Sequence, residues 1–571
     1  MSEERLSGSG EHITAGGEHV TAGGEHVIAG GEQSVARTLG ELFQYRVRQS
    51  PDAIGFRFED ESFTNADMAR LVDRVRASLQ RDGISRGDRV AAFTHNSPFM
   101  LALFMACAVE GFVFCPVNVQ YRKKDLAYTL ADLAAAVLFI DPELQATFEG
   151  VREESAVPIV VFSSADALAT AGIQSLGGWL VDQVPKPPSE PIGPGDPLCI
   201  IYSGGTTGLP KGIVIPQFAP VHAGIRYNSI ARFSEHEVYF SVLQMSHAFT
   251  PLIALPFCLT YGHTLCFWKW WSASRFIERM RQYRATITDI FIGMIATLLR
   301  TPQRADDAQF QHVRVIAGLG GLDAVAMRLR SEFCARFGCM TFDLYGFAES
   351  NGLVAFERES EERRTGSCGT PSRWFDVRVV GPDDAPLPPG VAGEVLVRPR
   401  VPNTIGLGYH NKAELTVRTW RNLWIHTGDL AYLDEDGYLF YVGRRNHFLR
   451  RRGEMVAGAE IEGELMGHPG VVEVAVVAAP SDFGEDEIRA CVVFKEGACH
   501  PQMLVDYLRE RLAAFKVPRY FDVYDELPRT GAKREIEKFR LQARDLSAAW
   551  DSTQPDRLPP EWESSLGLKR R

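Results

Sequence analysis

Residues 200–212 read IIYSGGTTGLPKG, and the reading of this stretch decides the fold. Ile200, Ile201 and Tyr202 form a buried strand that runs into a loop of glycines and hydroxyl residues, closed by Lys211. Glycine has no Cβ, so such a loop lets phosphate oxygens come close to backbone N–H groups. The hydroxyls of Ser203, Thr206 and Thr207 add side-chain donors. The loop is not a Walker A motif, because Leu209 and Pro210 separate Gly208 from Lys211 and no Ser or Thr follows the lysine. A buried strand running into such a loop is suited to hold phosphates.

Working outward, the Pro-rich stretch Pro185–Pro197 is a loop leading into that strand. Upstream, helix-like and strand-like segments alternate. Leu39–Val47 and Ala66–Leu79 have helical spacing, Ala53–Phe58 alternates, and Gly87–Thr94 is a turn followed by a buried strand. Pro98–Glu110 is a buried helix and Phe112–Val119 another strand. Repeated βα units predict a largely parallel sheet covered by helices. Beyond Asn446 the pattern changes. Ala459–Met466 is helical, Val471–Ala478 and Ala490–Phe494 are strands, and Pro501–Leu512 is helical, a small α+β unit. The expected division is a low-complexity tail over 1–37, a large α/β domain over 38–445, a small domain over 446–541 and a polar tail over 542–571. The first tail repeats GEHxxAG every seven residues, placing His12, His19 and His26 in register. Its glycines and scarcity of large apolar residues predict disorder, although regularly spaced histidines are also a metal-binding pattern.

Bulk composition excludes several classes. A net charge of −11 gives nucleic acid no electrostatic reason to bind. Ten cysteines without CxxC pairs read as reduced thiols. The most apolar run, Pro98–Val109, stops at Glu110 and Gly111, short of the roughly 18 residues that span a bilayer. The N-terminus has no basic and apolar signal pattern. A cytoplasmic enzyme is expected.

The glycine-hydroxyl stretch resembles the signature loop of the adenylate-forming superfamily, which holds acyl-CoA synthetases, firefly-type luciferases and nonribosomal adenylation domains. The resemblance covers about Thr38 to Leu541. It implies a large multi-sheet N-terminal adenylation domain and a small α+β C-terminal lid that rotates between two half-reactions. An acid and ATP give an acyl adenylate and pyrophosphate, and a thiol then displaces AMP. Within this resemblance, Ser203, Gly204, Gly205, Thr206, Thr207, Gly208 and Lys211 hold the phosphates, with Thr206 also a catalytic candidate. LYGFAES, residues 344–350, places Tyr345 and Gly346 at adenine and Glu349 at Mg²⁺. WIHTGDL, residues 424–430, gives Asp429 to the ribose hydroxyls, and Arg444 supports the same nucleotide. His247 in MSHAFT borders the acid pocket, and Gly320 in AGLGGLD lies on a glycine-rich pocket strand. Arg450, Arg452 and Gly453 are placed towards CoA. DEIRACVVF, residues 486–494, and FKVPRY, residues 515–520, resemble carnitine-CoA ligase-like relatives. ATP, Mg²⁺ and CoA are therefore the expected cofactors and co-substrates.

Three positions depart from the family pattern. Ala348 stands where the family has threonine or serine, and Asn446 where it has aspartate or lysine at the hinge. The terminal catalytic segment, Pro-Lys-Thr-x-x-Gly-Lys in the family, here reads LPRTGAKREIEKFRL from Leu527. Counting forward puts Arg534 at the lysine position and counting back puts Glu535 there, whereas Lys533 is one residue short. Lys533 is the first choice for the catalytic cation and Arg534 the second. The altered segment keeps two other readings open: an adenylating ligase that passes its acid to an amine or activates nitrite for diazotisation, and a nucleotide-binding pseudoenzyme. Neither the acid nor the oligomeric state, a homodimer among the options, follows from the sequence.

Overall fold

The computed structural model describes residues 36–121, 123–155, 157–164, 173–205, 208–305, 307–316, 324–444, 448–451, 454–480, 487–495, 500–512, 516–529 and 536–557, with the backbone of 19–20 and 26–27. His19–Val20 and His26–Val27 pair as two short antiparallel strands within the seven-residue repeat.

Two large sheets carry the main body. One has eight strands, with Gly408–Tyr409, Gly208–Pro216, Pro197–Gly205, Val113–Pro116, Arg89–Phe93, Val137–Ile140, Ile159–Phe162 and Gln174–Ser175 side by side. From Pro197–Gly205 onward its neighbours run parallel, and the edge formed by Gly208–Pro216 and Gly408–Tyr409 is antiparallel. The other has seven strands, from Met340–Phe342 through Arg314–Ile316, Ile287–Asp289, Val238–Ser241 and Thr264–Phe267 to the hairpin of Ile54–Phe58 and Glu61–Thr64. It is parallel except for that hairpin.

The helix Pro98–Glu110 packs in the apolar core that joins the sheets. Ser97 caps its N-terminus by accepting from the Met100 N–H, Pro98 sits where no N–H is needed, and Gly111 ends it at φ 74°. Nearly every residue of the helix is buried, which explains an apolar run with no polar face. Among the described residues no helix is long and apolar enough to cross a membrane. The nine described cysteines are all unbridged, and eight are buried.

Phe375–Val380, Gly393–Pro399, Ile425–Leu433 and Leu439–Arg444 form a separate antiparallel sheet. Further along, Val471–Ala479, Glu487–Phe494, Tyr520–Val523 and Trp550–Asp551 make the sheet of a small C-terminal unit with helices Gly458–Met466 and Pro501–Arg509. This unit runs past the limit expected at Leu541. Trp550 is fully buried against Phe521, and its indole N–H donates to the Pro555 carbonyl. A lone apolar anchor in a polar stretch leaves no periodicity to read, so sequence pattern missed it.

Candidate active site

The glycine stretch folds as a hairpin of Pro197–Gly205 against Gly208–Pro216. Its register sets Ser203 opposite Lys211 and Gly205 opposite Gly208, so hydroxyl and ammonium residues flank the turn. Gly212, opposite Tyr202, has no alternative: a Cβ there would lie 2.7 Å from Ile200 Cγ2 and 2.9 Å from Tyr202 Cζ. Thr206 and Thr207 at the turn lie outside the described residues.

Lys211 carries its ammonium 5.6 Å from the centroid of the Tyr409 ring, a cation–π contact. The Tyr409 hydroxyl donates to Glu349 Oε1 at 2.5 Å, a charge-assisted bond. Tyr409 thus couples the glycine hairpin to the 3₁₀ turn Ala348–Ser350. That turn is fixed a second time where the Gly406 N–H donates to the Glu349 carbonyl at 2.7 Å. Sequence reasoning missed Tyr409. Its signal was the glycine spacing of Gly406 and Gly408, which lets this strand lie close to Ile213 and to the Glu349 backbone.

Three residues before the turn, Tyr345 is buried and its hydroxyl donates to Asp429 Oδ2 at 2.9 Å. Burial raises the Tyr345 phenol well above its ordinary pKa, and the Asp429 charge adds to the effect, so it stays a donor. Gly346 follows because a Cβ would fall 2.7 Å from the Leu353 nitrogen. The Thr427 hydroxyl accepts from the Asp429 N–H, which fixes the carboxylate's strand. Asp429 and Arg444 are direct partners across two antiparallel strands, so the two residues assigned to one nucleotide start from adjacent backbone positions.

His247 lies in the turn that follows the strand Val238–Ser241 of the other large sheet. Its ring meets Phe291 edge-on at 5.0 Å, and Nδ1 accepts from the Phe249 N–H at 3.3 Å. The proton of the neutral ring therefore sits on Nε2. Ser203, Lys211, Tyr345, Gly346, Glu349, Asp429 and the Arg444 backbone come together around the hairpin, and His247 packs on Phe291. Gly320, Arg452, Gly453, Lys533 and Arg534 lie outside the described residues, and Arg450 is described only in its backbone strand. An antiparallel bridge between Arg529 and Ile536 closes the connection that contains Lys533 and Arg534. Further along, the Lys538 ammonium pairs with Glu462 at 2.6 Å.

Glu349 is a half-buried carboxylate next to the glycine hairpin, and its hard oxygen donors fit the chemistry of Mg²⁺. A second carboxylate cluster, His95, Asp141 and Glu143, is satisfied internally. His95 donates from its backbone and holds Asp141 through Nδ1, and Glu143 pairs with Lys269 at 2.9 Å.

Two largely parallel sheets, an antiparallel sheet, a separate α+β unit and a glycine-hydroxyl hairpin define the class of adenylate-forming ligases. The AMP-binding enzyme pattern matches residues 43–410, and the AMP-binding enzyme C-terminal domain matches 460–534. The chain is similar to indoleacetate–CoA ligase of Aromatoleum aromaticum, with 30% identity covering 89% of this chain and 98% of that one. It is also similar to crotonobetaine/carnitine–CoA ligase of Salmonella arizonae, with 27% identity over 84% and 93%. The structure of ATP-bound MatB from Rhodopseudomonas palustris superposes with a TM-score of 0.78 at 25% identity, covering 88% of this chain and 98% of that one. The chain belongs to the AMP-binding enzyme family. It is an AMP-forming acid–thiol ligase that uses ATP and CoA.

Proposed function

We propose that this chain activates a carboxylic acid with a bulky remote end, and that the residues around the glycine hairpin carry the first half-reaction. The acid carboxylate attacks the α-phosphorus of ATP, the α–β bridging bond breaks, and pyrophosphate leaves. The CoA thiolate then attacks the acyl carbon, and AMP leaves with the bonding electron pair. Carboxylate and triphosphate repel each other, so catalysis is mainly alignment and charge neutralisation.

The observation that carries this reading is the Lys211–Tyr409–Glu349 bracket, which locks a cation and a carboxylate on either side of one phenol at the phosphate hairpin. In the proposed assignment Ser203, Lys211 and the hairpin N–H groups bind the phosphates. Tyr345 stacks on adenine while its hydroxyl orients Asp429 for the ribose, with Arg444 alongside. Glu349 would hold Mg²⁺, which when bound neutralises phosphate charge. His247, packed on Phe291, lines the acid pocket, and Lys533 is the cation that the C-terminal unit brings to the reaction. The loss of a hydroxyl at Ala348 removes one neutral donor near the phosphates, a change on the order of 0.5–1.5 kcal/mol. The domain division at 445/446 and a cytoplasmic location belong to the same proposal. The amine acceptor, the nitrite activity and the inert pseudoenzyme have no observation in their favour.

The remote end of the acid is proposed from the relatives, whose named acids are indoleacetate and crotonobetaine or carnitine. The test is pyrophosphate release and acyl-CoA formation across aryl, aliphatic and cationic carboxylic acids, with and without CoA. Acid-dependent pyrophosphate followed by CoA-dependent thioester supports the reading. Pyrophosphate that forms only with nitrite, or an activated acid captured by amines and not by CoA, overturns it.

A further inference from the structure

Asp289 is the last residue of the strand Ile287–Asp289, and it is 2% exposed in the core of the seven-stranded sheet. Parallel strands open their ligand crevice at their C-terminal ends. There Asp289 lies between Ser241 and Ile316, the last residues of the two neighbouring strands. Neither carboxyl oxygen makes a well-formed hydrogen bond, although the Ser241 and Tyr239 hydroxyls stand close enough to favour its charged form. Buried carboxylates are ordinarily paired or fully hydrogen-bonded, and an orphan of this kind points to a partner that arrives later.

The surroundings tie this carboxyl to the MSHAFT segment. Ser241 shares a hydrogen bond of 2.7 Å with Thr250, the end of that segment and the start of the π-helix Thr250–Ala254. Two residues after Asp289, Phe291 carries the edge-on contact with His247. Single π-helical turns are rare and cluster at functional sites. Tyr227 lies tilted against Tyr239 and Phe257, with centroids at 5.7 and 4.6 Å, and the Tyr227 hydroxyl donates to that of Tyr239. An orphan carboxyl set among aromatic rings is the chemistry that recognises an organic cation.

We infer that Asp289 reads the remote end of the acid and selects substrates bearing a positively charged nitrogen there. This rests on the ligase reading above and specifies its substrate class. The charged nitrogen would lie against the Asp289 carboxylate and the Tyr227 and Tyr239 rings, while the acid's own carboxylate extends past His247 to the phosphate hairpin. The ionisable groups facing Asp289 from the packed elements are Tyr227, Tyr239 and Cys258, all neutral because burial raises each. Burial likewise pushes Asp289 up to about 7, so a bound cation would draw it into the ionised form.

The experiment uses matched pairs of acids of equal shape that end in a quaternary ammonium or in the neutral tert-butyl group. It measures acid-dependent pyrophosphate release by the full chain. The expected result is a kcat/KM at least tenfold higher for the ammonium acids. For these acids kcat/KM should rise with pH through about 7 in the wild type and lie flat in Asp289→Asn. Asp289→Asn should lower the ammonium acids at least tenfold and leave the neutral acids within threefold, and Asp289→Leu should invert the preference. A wild type that activates neutral acids as well as or better than their ammonium partners overturns the inference while the ligase reading stands, whether or not the variants fold. Equal losses for both acids in Asp289→Asn overturn it as well. If no acid of either kind releases pyrophosphate, the ligase reading falls and takes this inference with it.

Discussion

Replacing Tyr409 by phenylalanine isolates one bond in the bracket. The ring remains, so the Lys211 ammonium keeps its aromatic face at 5.6 Å, while Glu349 loses the hydroxyl that donates to it at 2.5 Å. A hydrogen bond to a charged group contributes about 1.5–3 kcal/mol. Glu349 is only half-buried, and water replaces part of that loss, so the lower end applies. At about 1.4 kcal/mol per tenfold change, the cost is on the order of tenfold. It should fall on the step that needs Glu349 fixed. Acid-dependent exchange of labelled pyrophosphate into ATP, followed against Mg²⁺ and ATP concentration, should therefore show kcat/KM for ATP down by about tenfold. Thioester formation from a presynthesised acyl adenylate should stay near wild type, because no triphosphate is present in that step. Tyr409→Phe with unchanged ATP kinetics, or with both half-reactions slowed equally, would refute the bracket as a phosphate-side device.

Other outcomes follow from the same geometry. Lys533→Ala should abolish most acid-dependent pyrophosphate exchange and spare thioester formation from the adenylate; the opposite split, or a loss seen only in Arg534→Ala, reassigns the cation. Trp550→Ala removes a fully buried indole from the sheet of the C-terminal unit and should destabilise it by about 3–5 kcal/mol, which differential scanning calorimetry would register. Asp289 also predicts a pH dependence of stability. Its pKa is about 7 when folded and 3.8 when free, so the folded state holds the proton more tightly and the site disfavours folding increasingly as pH rises between those values. Asp289→Asn should therefore gain stability over the wild type on going from pH 5 to pH 8, by roughly 2–3 kcal/mol. Urea unfolding at both pH values checks this, and a constant difference refutes it.

What could be read in the sequence was local. The strand, the glycine-hydroxyl turn and Lys211 sit within 13 consecutive residues, and the helix Pro98–Glu110 carries its proline start and glycine stop in the chain itself. The α/β class and the small C-terminal unit were legible in the same way, and Tyr345, Glu349 and Asp429 became candidates through the family resemblance of the short motifs that hold them. Tertiary structure decided the rest. The Tyr409–Glu349 bond joins residues 60 apart and the Tyr345–Asp429 bond joins residues 84 apart, and no spacing rule links either pair. Asp289 looked like one more polar residue between apolar ones until the sheet register set it beside Ser241 and removed it from water. Trp550 was lost in a polar tail because a single anchor has no period. Local propensity and motif chemistry act over a few residues. Burial and long-range pairing exist only once the chain has closed on itself, and they turn a tyrosine into a bracket and an aspartate into a candidate reader of charge.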